Sequence, residues 1–267
     1  MKRIEIRHWA KRIEIPMLTA TVAVWLIFAL QTAPAWHDTA EFAAVGHLFT
    51  TSHSPGHPLF SLLSGGFSWL CPVGDVAFRM ALFSALMTTI AFHTLVRACA
   101  RLSRDSRSGA YWLAGAVLAP PVLIQGIRAE VYALHLCLFS LAVYCGVRWW
   151  CSKDCRWFLA LALSIGLAGA NHSYLALIPL PMVLYLVWRR RLPLAQFLLG
   201  GLCGTLGLFT YVFLPLRSAS TEAGWGAPDS LSETWQMIRA EEWNRNLAPE
   251  GLDWSEQLFR PVQSLWR

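Results

Sequence analysis

Residues 76–107, VAFRMALFSALMTTIAFHTLVRACARLSRDSR, join a long apolar run to a strongly basic end. The apolar run is long enough for a membrane helix, because the core of a bilayer requires about 20 mostly apolar residues. The basic residues that follow it are Arg97, Arg101, Arg104 and Arg107. Since Lys and Arg concentrate in cytoplasmic loops, this stretch predicts a membrane helix that ends in the cytoplasm.

The composition of the whole chain also indicates an integral membrane protein. Of its 267 residues, 55% are hydrophobic and only 14% are charged, and the mean hydropathy is +0.43. An average soluble protein has about 25% charged residues. We therefore predict an all-α integral membrane protein. Its seven predicted membrane helices span residues 17–36, 76–97, 109–126, 131–150, 157–171, 173–188 and 193–216.

The distribution of basic residues predicts the topology. Fifteen of the 22 Lys and Arg residues lie before the first predicted helix or after the second, fourth and sixth. This alternation places those loops in the cytoplasm and the end of the chain outside, so the net charge of +6 orients the protein and does not indicate nucleic-acid binding. The pattern requires that the apolar run 58–70 does not cross the membrane. We predict an interfacial or re-entrant helix there.

Three regions follow from this topology. They are a cytoplasmic basic tail (1–16), a transmembrane domain (17–217) and an extracytoplasmic C-terminal segment (218–267). This last segment is a candidate for a truncated region of a longer protein. A signal peptide is an alternative for the N-terminus, because Ala33-Pro34-Ala35 imitates an A-x-A cleavage site. The seven cysteines are scattered between predicted helices and loops, which predicts neither a disulfide framework nor a metal site.

Polar residues from four separate segments fall on the outer side of the predicted topology. Ionisable groups at membrane depth cost about 2.5–3.5 kcal/mol each by insertion scales, so a cluster of them is expected to line an aqueous cavity or bind a ligand. The candidates are Asp38, Glu41, His53, His57, Arg128, Glu130, Tyr132, Asn171, His172, Arg217 and Trp225.

The residues of the first outer loop also have structural explanations. Asp38 could be the N-cap of a helix over 39–49. His53 and His57 have the spacing of a helical metal-binding pair, but the prolines between and after them, Pro55 and Pro58, are incompatible with a regular helix. We therefore predict no metal ligand here.

The other candidates have structural explanations as well. Arg128 and Glu130 could form an ion pair at the start of a helix. Asn171 and His172 lie between two short predicted helices and could satisfy backbone groups at the tip of a tight hairpin. Sequence alone leaves both explanations open beside the functional ones.

Several motifs that contain these candidates resemble one family of multi-pass proteins. In order they are HDTAEF (37–42), HSPGHPLFSLL (53–63), FRMALFSAL (78–86), RAEVYAL (128–134), GLAGANHSYLALIP (166–179), LPLRSAS (214–220) and GWGAP (224–228). Together they resemble the family of domain of unknown function 2723, which contains protein O-mannosyltransferase-like membrane glycosyltransferases of the GT-C superfamily. The resemblance implies a GT-C-like module of about seven transmembrane helices, with interfacial or re-entrant helices in the first external loop.

The resemblance also implies a reaction and its partners. A GT-C enzyme of this kind would transfer a sugar, mannose or another hexose, from a polyprenyl-phosphate donor to a hydroxyl acceptor such as Ser or Thr of a protein. The expected partners are a membrane lipid-linked sugar and a protein or glycan acceptor, without nucleic acid. No further cofactor is indicated, and the need for a divalent metal stays open. The active site would be extracytoplasmic, at the bacterial inner membrane or in the endoplasmic reticulum.

Chemistry assigns roles to the candidates within that expectation. An acceptor hydroxyl needs a carboxylate to take its proton, for which Asp38 is the candidate, with Glu41 orienting a sugar hydroxyl or the partner of Asp38. The departing phosphate gains negative charge and requires fixed cations, for which Arg128, His172 and Arg217 are the candidates. The remaining predicted substrate-binding residues are His53, His57, Glu130, Tyr132, Asn171 and Trp225. Of these, His53 and His57 could donate to the phosphate or bind the acceptor.

Two other classes of protein remain possible from sequence. A transporter or flippase of lipid-linked sugars would also gather polar residues inside the membrane, although the inverted repeat expected of many transporters is not visible in the sequence. A non-catalytic membrane scaffold is the other alternative, since the chain ends fifty residues after the predicted transmembrane domain.

Overall fold

The structure is a computed structural model that describes residues 2–32, 38–102, 106–218, 224–226 and 228–242. Across these ranges the chain forms α-helices and short 3-10 turns and contains no β-strand, which confirms the prediction of an all-α chain. The helices are α1 (Lys2–Phe28), α2 (Thr39–Leu48), α3 (Pro58–Leu70), α4 (Val76–Leu102), α5 (Ser106–Leu118), α6 (Pro120–Gly126), α7 (Val131–Ser152), α8 (Cys155–Asn171), α9 (Leu180–Arg190), α10 (Leu194–Leu208), α11 (Phe213–Ser218) and α12 (Leu231–Ile238).

Three helical runs in the described ranges are long and apolar enough to cross a membrane. They are α4, α7 and the continuous run Leu194–Ser218, which contains α10 and α11. At about 1.5 Å per residue, each run exceeds the roughly 30 Å thickness of a bilayer core. Shorter apolar helices cover Glu14–Phe28, Gly109–Leu118 and Cys155–Asn171. The protein is therefore a membrane protein, and the full set of seven spans stays a prediction.

The predicted third and sixth membrane helices are interrupted in the structure. The prediction that each of them is one continuous helix was wrong. Ala119 separates α5 from α6 with an extended backbone (φ −64°, ψ 141°), because the following Pro120 disfavours helical geometry in the residue before it. The sixth predicted helix becomes a 3-10 turn at Leu175–Leu177 followed by α9, which begins with a proline in its first turn.

The ends of the first predicted helix also differ from the prediction. α1 begins at Lys2, so the predicted cytoplasmic tail is helical, and α1 ends at Phe28, well before residue 36. Beyond it the backbone N–H of Gln31 donates to the carbonyl of Ile127 (2.8 Å), which ties this end of α1 to the segment before α7. Residues 33–37 lie outside the described ranges.

The helices pack around α7 and α8. α7 lies between α4 and α8, and α8 packs against α10. The α8–α10 contact depends on glycine, since a Cβ on Gly166 would collide with the backbone carbonyl of Gly204. Small residues allow such close approach of helix backbones in membranes, where lipid removes much of the hydrophobic drive for helix association.

α2 and α3 pack on each other and against α4, and the segment 49–57 between them enters the protein interior. α3 spans the same residues as the helix predicted over 58–70 as interfacial or re-entrant. It begins with Pro58, a residue suited to the first helical position. Phe42 of α2 and Phe60 of α3 are buried in one core cluster with Leu134 of α7 and Leu214 of α11. This packing fixes the segment 49–57 against the ends of the long helices.

Candidate functional site

A polar cavity of about 430 Å³ lies where α2, the segment 53–57, the start of α7 and the end of α8 meet. Five of the predicted site residues line it, together with six residues that sequence analysis did not single out. The lining residues are Asp38, Phe42, His53, Ser54, Pro55, His57, Val131, Tyr132, His172, Tyr174 and Ala240.

Glu41 holds His53 in a fixed orientation. One carboxylate oxygen accepts a hydrogen bond from the backbone N–H of His53 (2.7 Å), and the other lies 2.8 Å from Nδ1 of its ring. An ionised carboxylate only accepts hydrogen bonds, so Nδ1 carries the hydrogen and donates it. The ring is therefore oriented with its opposite edge, Nε2, toward Asp38, whose Oδ2 lies 3.9 Å away.

Asp38 occupies the N-cap position of α2, one helical turn before Glu41. Its side chain makes no capping hydrogen bond to the first turn of the helix, although the cap explanation required one. The side chain is about half exposed and lines the cavity. The carboxylate is thus placed where a ligand in the cavity could contact it.

The carboxylates around His53 set its charge. Burial alone would lower the pKa of His53, but the hydrogen bond to Glu41 and the negative charges of Glu41, Asp38 and Glu130 raise it above the usual value of 6.5. An imidazolium ion is therefore favoured at this position near neutral pH.

Asp38, Glu41 and His53 bring oxygen and nitrogen atoms within 4.8 Å of one another, close enough to be considered for a metal ion. Both oxygens of Glu41 accept hydrogen bonds from His53, however, so this carboxylate already has partners without an ion. We identify no metal ligands in it, and the prediction that the site holds no metal stays a prediction.

His57 is fully enclosed at the floor of the cavity. Its Nδ1 donates to the backbone carbonyl of Asn171 (2.5 Å), and the side-chain amide of Asn171 donates to the carbonyl of Val131 (3.0 Å). Burial lowers the pKa of His57 to about 3, so its ring is neutral. Asn171 does not line the cavity. The contacts of His57 and Asn171 join the start of α3 to the start of α7 and the end of α8.

His172 follows the last residue of α8 and lines the cavity beside Tyr132. Its ring centre lies 5.3 Å from that of His57 and 5.9 Å from that of Tyr132. Burial lowers the pKa of His172, and within the described residues its buried Nδ1 has no hydrogen-bond partner. Because an unsatisfied buried polar atom costs about 1–3 kcal/mol, this nitrogen is a candidate for a ligand contact.

Arg128 lies behind the cavity wall. Its Nη2 is 3.2 Å from Glu130 Oε1 and 3.2 Å from Gln125 Oε1, and both ion-pair partners are almost completely buried. Burial raises the pKa of Glu130 to about 7, although the positive charge of Arg128 acts in the opposite direction. Neither residue lines the cavity, so the structural ion pair considered from the sequence is the arrangement observed.

Arg217 and Trp225 also lie outside the cavity lining. The Arg217 guanidinium donates from Nε to the carbonyl of Phe49 (2.6 Å) and from Nη2 to that of Leu48 (2.9 Å), at the C-terminal end of α2. Trp225 exchanges backbone and side-chain hydrogen bonds with Thr51, and its ring centre lies 6.2 Å from that of His53. Both residues thus contact the loop that carries the site.

Sequence analysis missed Tyr174 and Ala240. Tyr174 lies two residues after His172, in a motif that had already been singled out, and its hydroxyl donates to the carbonyl of Arg239. That contact brings the C-terminal segment over the cavity. The position of Ala240 has no signal in the sequence, because it depends on the packing of α12 through Met237.

An apolar groove of about 700 Å³ adjoins the cavity, between α8, α9, α10 and α12. Its lining includes Leu161, Ile165, Leu184, Phe197, Leu208 and Trp235. Ser173 lines the groove, whereas its two neighbours His172 and Tyr174 line the polar cavity. The two spaces are therefore separated by a wall about one residue thick.

The family described as "Protein O-mannosyl-transferase TMEM260 N-terminal domain" matches residues 38–195, more than half of the chain. The chain belongs to this family. The match contains every residue that lines the cavity except Ala240, and it confirms the resemblance to protein O-mannosyltransferases. Two of the predicted site residues, Arg217 and Trp225, lie beyond the matched range.

Two relatives are described as Protein O-mannosyl-transferase TMEM260. The protein from Mus musculus is 29% identical over 228 residues, which cover 82% of this chain and 32% of the relative. The protein from Dictyostelium discoideum is 23% identical over 168 residues, which cover 57% of this chain and 20% of the relative. The chain thus spans about a third and a fifth of the lengths of these relatives. No solved structure gives a significant match.

Proposed function

We propose that the chain carries the catalytic module of a membrane O-mannosyltransferase. It transfers mannose, or another hexose, from a polyprenyl-phosphate donor to a hydroxyl acceptor, expected to be Ser or Thr of a protein. The observation that carries this proposal is the polar cavity in which the half-exposed Asp38 faces His53, beside an apolar groove. Membership of the O-mannosyltransferase family supports the reaction type.

In the proposed reaction Asp38 is the general base. The acceptor oxygen forms a bond to C1 of the sugar while the bond between C1 and the phosphate oxygen breaks, and its electron pair leaves with the phosphate. The acceptor proton goes to the Asp38 carboxylate. Positioned proton transfer of this kind contributes about a hundredfold to ten-thousandfold to a reaction rate.

The predicted phosphate-binding residues have different roles in this proposal. His172 lines the cavity and can contact the phosphate directly through its buried nitrogen. Arg128 and Arg217 act as positioning residues. Arg128 neutralises Glu130 at the start of α7, whereas Arg217 holds the end of α2, the helix that carries Glu41 and follows Asp38.

The adjoining groove suits the lipid part of the donor. A polyprenyl chain is apolar, and each buried methylene contributes about 0.8 kcal/mol. Because Ser173 lines the groove while its neighbours His172 and Tyr174 line the cavity, a donor that crosses over this segment could place its phosphate in the cavity and its chain along α8 and α10. We propose that the polyprenyl chain occupies this groove.

The arrangement of charges supports an extracytoplasmic site in a GT-C-like, multi-pass module of seven helices. The cavity lies at the start of α7, whereas Arg148 and Lys153 lie at the opposite end of that helix. At about 1.5 Å per residue the two ends are about 33 Å apart, roughly one bilayer core. Since basic residues favour the cytoplasmic side, the cavity would open outside, or into the endoplasmic reticulum in a eukaryote.

The test is sugar transfer by the purified 267-residue chain in lipid nanodiscs. The protein is given a Ser/Thr-containing peptide and either polyprenyl-phosphate mannose or the nucleotide sugar GDP-mannose, and the products are analysed by mass spectrometry. We expect a hexose on the peptide only with the lipid-linked donor. Transfer from GDP-mannose alone, or from neither donor nor any other polyprenyl-phosphate hexose, would contradict the proposed function.

A further inference from the structure

The imidazole of His53 is fixed by contacts on several sides. Glu41 binds both its backbone N–H and its ring Nδ1. The rings of Phe42, His57 and Trp225 surround it, with centre distances of 5.4, 5.6 and 6.2 Å. A residue whose position and orientation are fixed on the wall of a polar cavity is suited to act on a ligand there.

His53 also differs in charge from the other nitrogen-bearing side chains of the cavity wall. Within the described residues no lysine or arginine lines the cavity, and the two other lining histidines, His57 and His172, have pKa values lowered by burial. The groups that act on His53 are Asp38 and Glu41 of α2, Glu130 before α7, and the rings of His57 and His172. The three carboxylates favour the imidazolium form.

On this basis we infer that His53 is a catalytic residue that donates from Nε2 to the departing phosphate oxygen of the lipid donor. This role rests on the function proposed above. It adds to Asp38 an acid on the leaving-group side, held in place by Glu41. Glu41 is then a positioning residue that acts through His53 and does not itself contact the sugar.

The proton balance of the reaction closes within these residues. The acceptor proton moves to Asp38 as the new bond to C1 forms. The bond from C1 to the phosphate oxygen breaks, and the proton on His53 Nε2 moves to that oxygen, which gives a polyprenyl hydrogen phosphate. After the products leave, Asp38 returns its proton to His53 Nε2, 3.9 Å away in the resting site. Both residues then regain their starting states.

This inference predicts that the rate declines at alkaline pH. His53 must be protonated, so the rate falls as pH rises through the pKa of His53, which lies above 6.5. An alkaline decline of a rate reports an essential acid in this way.

The first test measures single-turnover transfer by the 267-residue chain between pH 5.5 and 9, with mannosyl phosphofarnesol as donor. This donor is a phosphodiester, so its own charge does not change in that range. His53→Gln should lower the rate by about a hundredfold or more and abolish the alkaline decline. Glu41→Gln keeps an acceptor for Nδ1 but removes the charge, so it should move the alkaline decline to lower pH with a smaller loss of rate.

His47→Gln is the matched control. His47 lies on α2 and stacks on Trp69, outside the cavity lining, so its rate and pH profile should match the parent. If His53→Gln retains the parental rate and profile while the parent transfers mannose, the role of His53 is refuted and the proposed function stands. If activity is lost on chelation and restored by Mn²⁺, His53 is better explained as a metal ligand and the inference is overturned.

The second test does not require turnover. Binding of mannosyl phosphofarnesol is measured at pH 6 and pH 8 by the change in tryptophan fluorescence. The parent should bind several-fold more tightly at pH 6, and His53→Gln should abolish the difference. Equal affinity of the parent at both pH values would overturn the inference, whether or not the chain transfers sugar.

Discussion

The polar cavity and the apolar groove share a wall at residues 172–174, yet they are built in opposite ways. The cavity is lined by charged and aromatic side chains whose positions are fixed by specific hydrogen bonds, such as those between Glu41 and His53. The groove is lined by aliphatic and aromatic side chains and by glycines of packed helices. The difference matches the donor of the proposed function, whose reacting head group needs precise contacts and whose apolar tail needs only volume.

The first prediction separates chemistry from local structure in the cavity. Asp38→Asn removes the proposed base but keeps the size of the side chain. Turnover should fall by about a hundredfold to ten-thousandfold. Stability should remain nearly unchanged, because Asn caps helices about as well as Asp and Asp38 makes no capping hydrogen bond. Single-turnover transfer and thermal unfolding of the same preparation measure both effects.

Glu41→Gln is the companion variant. It should retain more activity than Asp38→Asn, because Glu41 acts through His53. Near-parental transfer by Asp38→Asn together with abolished transfer by Glu41→Gln would mean that Glu41 is the base. If neither variant changes transfer, the loop is structural and the mechanism is wrong.

The second prediction concerns the buried support behind the cavity. Arg128→Ala leaves the Glu130 carboxylate without its ion-pair partner in a site where both are almost fully buried. Breaking such a pair costs about 3–5 kcal/mol, whereas replacing both partners with apolar residues is often neutral. We expect Arg128→Ala to be strongly destabilised in denaturant unfolding, and Arg128→Met combined with Glu130→Leu to recover most of the stability.

The double variant also distinguishes the two roles of Arg128. If its stability recovers and its KM for the lipid donor stays within about threefold of the parent, Arg128 is a positioning residue. If its stability recovers while that KM rises tenfold or more, Arg128 contacts the phosphate as the sequence first suggested.

These expectations show why sequence predicted the cavity better than its supports. Asp38, His53 and His172 stand out because ionisable groups cost free energy at membrane depth, so they are expected to line a cavity or bind a ligand. The same rule selected Arg128 and Arg217. Sequence offered Glu130 as a partner of Arg128 but did not decide between this ion pair and a phosphate contact. The partners of Arg217 are the carbonyls of Leu48 and Phe49, which belong to a distant segment that sequence does not connect with it.

The helix boundaries and the groove were harder to predict for a different reason. Pro120 and Pro179 lie inside apolar runs whose composition alone indicates continuous membrane helices. Ala119, before Pro120, has an extended backbone, whereas Pro179 has no N–H to donate within a helix and α9 begins only after it. The groove has no sequence signal, because Leu161 facing a ligand and a leucine facing lipid are the same residue type. Only the packing of α8 on α10 distinguishes them.

The last and smallest predicted effect tests the groove. Gly201 lines it on α10, and a Cβ added there would meet no atom within 4 Å, so Gly201→Phe can place a ring in the groove without a backbone clash. The ring should displace part of a long polyprenyl chain, and each lost methylene contact costs about 0.8 kcal/mol. We expect KM for a long-chain donor to rise about tenfold with little change in kcat, and KM for a farnesyl donor to change less.

Gly115→Phe is the control, because Gly115 lies on α5, outside the groove, and also has open space around its Cβ position. Unchanged KM for every chain length in Gly201→Phe would exclude the groove as the site of the lipid tail, and would leave the cavity chemistry to be tested by itself.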